Sequence, residues 1–150
     1  MSVSSSSTPL SGPGEGIGRP PLSGLHHVRL PVSNAWTSRD WYMDVLGCSP
    51  LLDVEVEYGV VGVVIRHPCG VVIGLHQNAV RASALSGFAV LGFAVADRST
   101  LEDWARTLEQ GGVPHLGIAQ GHLGWYLDVP DPDGIVVRLH TGSGPDTEEA

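Results

Sequence analysis

The chain contains no lysine; all 8 of its basic residues are arginines. A Schiff-base mechanism on a lysine amine is therefore excluded. The arginines are scattered rather than clustered, and the net charge is −8, which argues against nucleic acid or an anionic membrane as a partner. No stretch approaches the roughly 18 apolar residues of a membrane-spanning helix. Met1–Leu22 is rich in Ser, Gly and Pro and lacks the apolar core of a secretion signal. It is expected to be a disordered tail, with Gly142–Ala150 a short acidic one, and the protein is expected in the cytoplasm. Two cysteines, Cys48 and Cys69, make no disulfide framework and are expected as reduced thiols. What remains is ample for a core: 150 residues, 42% of them hydrophobic, fit one domain.

That domain reads as a duplication. Asp131–His140, DPDGIVVRLH, is a turn followed by a β-branched run. Pro presets φ at the second turn position and Gly takes a position with φ > 0. His67–His76, HPCGVVIGLH, repeats the device, with Pro68, Gly70, Leu75 and His76 matching Pro132, Gly134, Leu139 and His140. Farther back, Leu25–Val32 aligns with Phe88–Val95, and Trp41 with Trp104. An offset of 64 residues at the turns and last strands, and of 63 at the first strands and the two Trp, marks a repeated supersecondary unit. Module one is placed at residues 23–77 and module two at 87–141 of a domain spanning 23–141. Each is too small to bury much surface alone, so the two must pack together.

Within module one, Leu25–Val32 alternates as a strand. Asn34 is a suitable N-cap for a helix to Leu46, ended by Gly47, with Trp36, Trp41, Tyr42, Val45 and Leu46 near one side. Leu51–Glu57, Val60–Arg66 and Val71–His76 follow as strands, and Gln77–Gly87 is a connector. In module two, Phe88–Val95 is a strand, and Ser99–Glu102 reads as a capping box with Ser99 as N-cap. Leu101, Trp104, Ala105 and Leu108 form the buried stripe of that helix, which Gly111-Gly112 ends. Val113–Ala119, Trp125–Val129 and a last strand from Ile135 complete the unit. Each module is βαβββ, and the pair predicts an α+β fold.

HHVRLPVSN, DWYMDVLG and DPDGIVVRLH together resemble the vicinal oxygen chelate superfamily of glyoxalases, bleomycin-resistance proteins and extradiol dioxygenases. The resemblance covers Leu22–His140. It implies paired βαβββ modules curling into a cup-shaped half-barrel, with a divalent ion in metal-using members. It places His27, Gly74, Val90 and Arg138 at the four ligand positions. Gly and Val offer no side-chain donor, and a guanidinium has no lone pair to give. The metal site is therefore expected to be lost, with no cofactor.

Alternation puts His27, Arg29, His76, Arg138 and His140 toward the cup, with Trp125 or Tyr126 available to stack on a planar ligand, depending on strand phase. His27, His76 and His140 are the candidate catalytic residues; Arg29, Arg138, Trp125 and Tyr126 are the candidate ligand contacts. Two guanidiniums suit an anion, and a neutral imidazole suits a general base. Positions 136 and 140, on Arg138's own strand face, are Val and His, so Arg138 is expected to pair with an anion on the ligand. Glu55 and Glu57 are the nearest unassigned carboxylates; Asp131 and Asp133 are turn formers. The leading expectation is a metal-free cup binding a small organic molecule, anionic or aromatic, in a homodimer. The alternatives are a metal-free isomerase, lyase or cyclase with a His base and an Arg clamp, and a metal enzyme with His27, His76 and His140 as shifted ligands.

Overall fold

The computed structural model describes residues 16–55 and 61–142, with the side chains of 54, 55 and 61 outside the description. Of the expected tails, residues 1–15 and 143–150 lie outside the described residues. Module one runs β1 (Val28–Val32), α1 (Ala35–Leu46), β2 (Ser49–Glu55), β3 (Val61–Arg66) and β4 (Val72–Gln77). After α2 (Ala79–Ala84), module two runs β5 (Ala89–Ala94), α3 (Arg98–Gln110), β6 (Ile118–Gly121), β7 (Gly124–Pro130) and β8 (Val136–His140). Each module is an open four-stranded sheet, in the orders β1-β4-β3-β2 and β5-β8-β7-β6. The first and last strands of each module pair in parallel, and the other pairs are antiparallel. This is the α+β architecture of paired βαβββ modules that the repeat predicts.

The repeat extends to individual hydrogen bonds. Asp131 N–H donates to the Ile135 carbonyl at 2.8 Å and Gly134 N–H to the Asp131 carbonyl at 2.9 Å; His67 N–H and Gly70 N–H do the same in module one, to Val71 and His67, at 2.9 and 2.8 Å. Asp131 Oδ1 accepts from Asp133 N–H at 2.8 Å, and His67 Nδ1 accepts from Cys69 N–H at 3.0 Å. A side-chain acceptor two residues before the donor stabilises the turn in both copies.

Helix α1 begins and ends as expected. Asn34 Oδ1 accepts from Trp36 and Thr37 N–H at 3.0 Å, and Gly47 closes the helix at φ 84°, a conformation that costs Gly no Cβ clash. Its buried face is Ala35, Ser38, Tyr42 and Leu46, while Trp36 stays 42% exposed. Three expectations are corrected. The N-cap of α3 is Asp97 rather than Ser99: the Asp97 carboxylate accepts from both the Thr100 N–H and hydroxyl, at 2.9 and 2.8 Å. The connector Gln77–Gly87 holds the short helix α2, capped by Asn78. Val113–Gly117 is not strand. There the His115 ring accepts from Gly117 N–H at 3.0 Å and Gly117 takes φ 84°, so β6 starts at Ile118.

One apolar cluster joins the modules. Leu30, Val32, Ile65, Ile73 and Leu75 share it with Leu101, Leu127, Val129, Val137 and Leu139. Each such side chain contributes about 1.5–3 kcal/mol on burial. A polar link crosses the same boundary: the buried Tyr42 hydroxyl on α1 donates to Asp131 Oδ2 at 2.8 Å, and Ser33 N–H donates to Asp133 Oδ2 at 3.0 Å. The module-two turn is thus tied to the start and middle of the module-one helix region.

Candidate functional site

Strand parity sets the chemistry of each sheet. In β4, Ile73 and Leu75 enter the core, so Gly74 and His76 lie on the opposite face. In β1, Leu30 and Val32 are buried and Arg29 shares the face of its partner Gly74. Arg29 passes close to Gly74, where a Cβ would stand in ordinary contact at 3.5 Å from Arg29 Cγ. The guanidinium then reaches His76, Nη2 to Nδ1 at 3.2 Å. A guanidinium only donates, so His76 Nδ1 is the acceptor and, in the neutral ring, the proton sits on Nε2. Arg29, Gly62, Val64, Gly74 and His76 line a cavity of about 190 Å³. Among the described residues no carboxylate forms an ion pair with Arg29.

The corresponding face of module two is filled. In β8, Val137 and Leu139 enter the core and Arg138 and His140 lie opposite. Arg138 makes a two-pronged pair with Asp128 on β7, Nε to Oδ1 at 2.8 Å and Nη2 to Oδ2 at 3.0 Å. Its guanidinium carbon sits 3.9 Å from the Tyr126 ring centre, close enough for cation–π attraction. The Tyr126 ring stacks on His140, with centroids 5.9 Å apart and planes 23° from parallel. The bond from Asp128 holds the Arg138 pKa above its ordinary value. His140 Nδ1 lies 2.8 Å from the Thr141 carbonyl. A carbonyl only accepts, so Nδ1 carries the proton, and in the neutral ring Nε2 is the free acceptor. The repeat-equivalent His76 and His140 therefore adopt opposite tautomers.

Two sequence expectations change here. Arg138 does not wait for a ligand anion, because an internal acid already meets it. Reading along its own strand finds only Val136 and His140; the acid stands on the neighbouring strand, where Asp128 and Arg138 are register partners. Pairing the two strands that flank the Asp131–Gly134 turn in antiparallel register would have found Asp128. Trp125 takes the other strand phase. It packs against the core, its indole nitrogen is buried without a hydrogen-bond partner, and the Arg98 guanidinium covers its ring at 4.0 Å. Of the two aromatic residues, Tyr126 is the one that shares the face of Arg138 and His140.

The candidates divide between the sheets. His27 is exposed just before β1, with its ring nitrogen 2.9 Å from that of His26, and Arg29 and His76 stand on β1 and β4. Arg138, His140 and Tyr126 belong to the other sheet. One cavity beside Arg29 and His76 is lined by module one alone, a second also by Asn78 and Arg81 of the connector, and the one beside His140 by module two and Gly142. Among the described residues, no three His, Cys, Asp or Glu side chains gather as a metal-ligand group. Glu57 lies outside the described residues, as does the side chain of Glu55. Val90 falls at a register shift of β5 between Ala89 and Leu91. A larger cavity of about 380 Å³ lies between the modules, lined by Leu46, His67, Phe93, Trp104 and Leu139 among others, with no charged side chain. Cys69 is exposed at its edge, and Cys48 is buried, its thiol pushed up to about 11 chiefly by desolvation.

Comparison with known proteins gives a consistent result. The family model described as Glyoxalase/Bleomycin resistance protein/Dioxygenase superfamily matches residues 24–139. A metallothiol transferase, FosB of Staphylococcus haemolyticus (strain JCSC1435), is 28% identical over 130 residues, covering 81% of this chain and 86% of that protein. Among solved structures, a glyoxylase/bleomycin resistance protein/dioxygenase domain from Frankia sp. EAN1pec superposes with a TM-score of 0.66 at 21% identity, covering 86% of this chain and 98% of that one. TnmS3, an antibiotic binding protein from Streptomyces sp. CB03234, gives 0.62 at 21% identity, with 81% and 99% covered.

Proposed function

Since the chain belongs to the Glyoxalase/Bleomycin resistance protein/Dioxygenase superfamily, we propose that it uses that superfamily's fold to bind a small organic molecule without a metal ion. The observation that carries this reading is the Arg29–His76 pair beside the module-one cavity. It offers a guanidinium with no carboxylate partner among the described residues and a neighbouring imidazole N–H. Both donate, so the pair suits an anionic group. A fold shared with an antibiotic binding protein is compatible with binding alone, but sites rather than folds decide chemistry.

The residues do not fit the divalent ion that metal-using relatives imply. Of His27, Gly74, Val90 and Arg138, only the first has a donor atom, and Arg138 is a cation locked to Asp128. A metal ion there would meet a fixed positive charge. The shifted set His27, His76 and His140 does not gather as a ligand group among the described residues, and His76 Nδ1 accepts from Arg29.

One observation favours a second reading. His140, with Nδ1 anchored to a backbone carbonyl, presents Nε2 as a general base would. A metal-free isomerase, lyase or cyclase would use it. Native mass spectrometry of chelator-treated protein against a panel of small organic anions separates these outcomes. Binding without turnover, lost in Arg29→Met, supports the main reading. Conversion of a panel compound, lost in His140→Ala, supports the second. No adduct of any kind contradicts both.

A further inference from the structure

Module two shows what module one has room for. At the 64-residue offset, Gly62 corresponds to Tyr126, Val64 to Asp128, Gly74 to Arg138 and His76 to His140. The strand registers agree: Gly62 faces His76 and Val64 faces Gly74, as Tyr126 faces His140 and Asp128 faces Arg138. On β1 and β5 the offset is 63, and Arg29 faces Gly74 where Gly92 faces Arg138. Both sheets therefore carry one guanidinium and one imidazole at the same level. In module two they are covered by a carboxylate and an aromatic ring from β7. In module one the same two places hold glycine and valine, and there the cavity of about 190 Å³ opens.

We propose that the ligand of the module-one face is a planar aromatic acid. Its carboxylate lies over Gly74 and pairs with Arg29 as Asp128 pairs with Arg138, and its ring takes the place over His76 that Tyr126 takes over His140. The inference rests on the small-molecule reading above and names its ligand class. Arg29 supplies two parallel N–H donors to a carboxylate, as Arg138 does. A ring entering over Gly62 meets no side chain from that position and can stack on the imidazole. An aliphatic acid gains the ion pair without the stacking, and a neutral arene gains the stacking without the ion pair. Both elements are present together in module two, and both are missing together in module one.

The test is calorimetric titration of the full-length, chelator-treated protein with 2-naphthoate, 2-naphthamide and cyclohexanecarboxylate. The acid arene is expected to bind at one per chain, at least tenfold more tightly than either control. Arg29→Met, an exposed position that leaves the core untouched, should reduce 2-naphthoate affinity at least tenfold. Gly62→Tyr should do the same by filling the ring's place, and Val64→Asp, close to valine in size, by offering an internal carboxylate that competes with the ligand's, with circular dichroism confirming that both variants fold. If either will not fold, the Arg29→Met result and the three-probe ranking decide. Equal binding of the amide, or unchanged affinity in Arg29→Met, overturns the proposal. Failure of 2-naphthoate while another small molecule binds by native mass spectrometry rejects the aromatic-acid class and spares the reading beneath it. Absence of any small-molecule binding rejects both.

Discussion

Arg29 and Arg138 stand at the same level of two copies of one sheet, but on exchanged strands. Arg29 is on β1 opposite Gly74, and Arg138 is on β8 opposite Gly92. Each arginine faces a glycine on the paired parallel strand. Asp128 satisfies Arg138, and no carboxylate among the described residues pairs with Arg29. The asymmetry gives Arg138 an internal partner and supports the proposal that Arg29 serves recognition.

Arg138→Met and Asp128→Asn should therefore act on stability. The Arg138 side chain is 34% exposed and that of Asp128 14%, so solvent screening trims the pair to about 1 kcal/mol. Urea denaturation of the two variants and their double mutant gives the coupling directly. Ligand affinity should fall less in Arg138→Met than in Arg29→Met.

Tyr42→Phe should destabilise the fold by about 1–3 kcal/mol, because it leaves Asp131 Oδ2 buried with one partner fewer. Burial and the nearby Asp131 charge push the Tyr42 phenol far above its ordinary range. Stability from its neutral form holds below the ordinary value of 10.0 and is lost only as pH rises toward the raised one. An alkaline ultraviolet titration should accordingly show one tyrosine that ionises only with unfolding.

Two aspartates should give opposite pH dependences. Hydrogen bonds from the Thr100 N–H and then its hydroxyl lower the Asp97 carboxyl below 3.8. Its contribution is present above 3.8 and is lost as pH falls through the lowered value. Burial raises Asp131 above 3.8, against opposing bonds from Tyr42, Asp133 and Ile135. Its contribution is present below 3.8 and declines as pH rises through the raised value. Unfolding of wild type, Asp97→Asn and Asp131→Asn across the acid range should show wild type gaining on the first variant and losing on the second as pH rises. Changes of the same sign would contradict the assignment.

Assembly follows from the sheet edges. Strands β1, β2, β5 and β6 are terminal in their sheets, and an open edge invites another chain. A twofold homodimer, the commonest symmetry, is expected by light scattering, and a monomer mass across the micromolar range would contradict it.

The fold was legible because its signals were local and doubled. Asn34, Gly47 and the two Pro-Gly turns announce themselves by residue type, and the repeat fixed the strand phase of Arg29, Gly74, His76 and Arg138. The α3 cap was misread because Ser99–Glu102 matches one capping pattern while Asp97–Thr100 offers a stronger acceptor. The partner of Arg138 was missed because a strand's face is shared across the sheet, and Asp128 neighbours Arg138 in space rather than along the chain. Trp125 and Tyr126 could not be told apart without the phase of β7. Nor could a single-chain reading of one continuous lining foresee that the candidates divide between two sheets.

Metal content tests the central claim most directly. Protein dialysed against Zn²⁺, Mn²⁺, Fe²⁺ or Ni²⁺ and analysed by inductively coupled plasma mass spectrometry should retain less than one tightly bound ion per chain. The expectation rests on Gly74, Val90 and Arg138 standing at the positions where the family resemblance implies ligands. A stoichiometric ion that disappears in His27→Ala would contradict the account and restore metal chemistry to this fold.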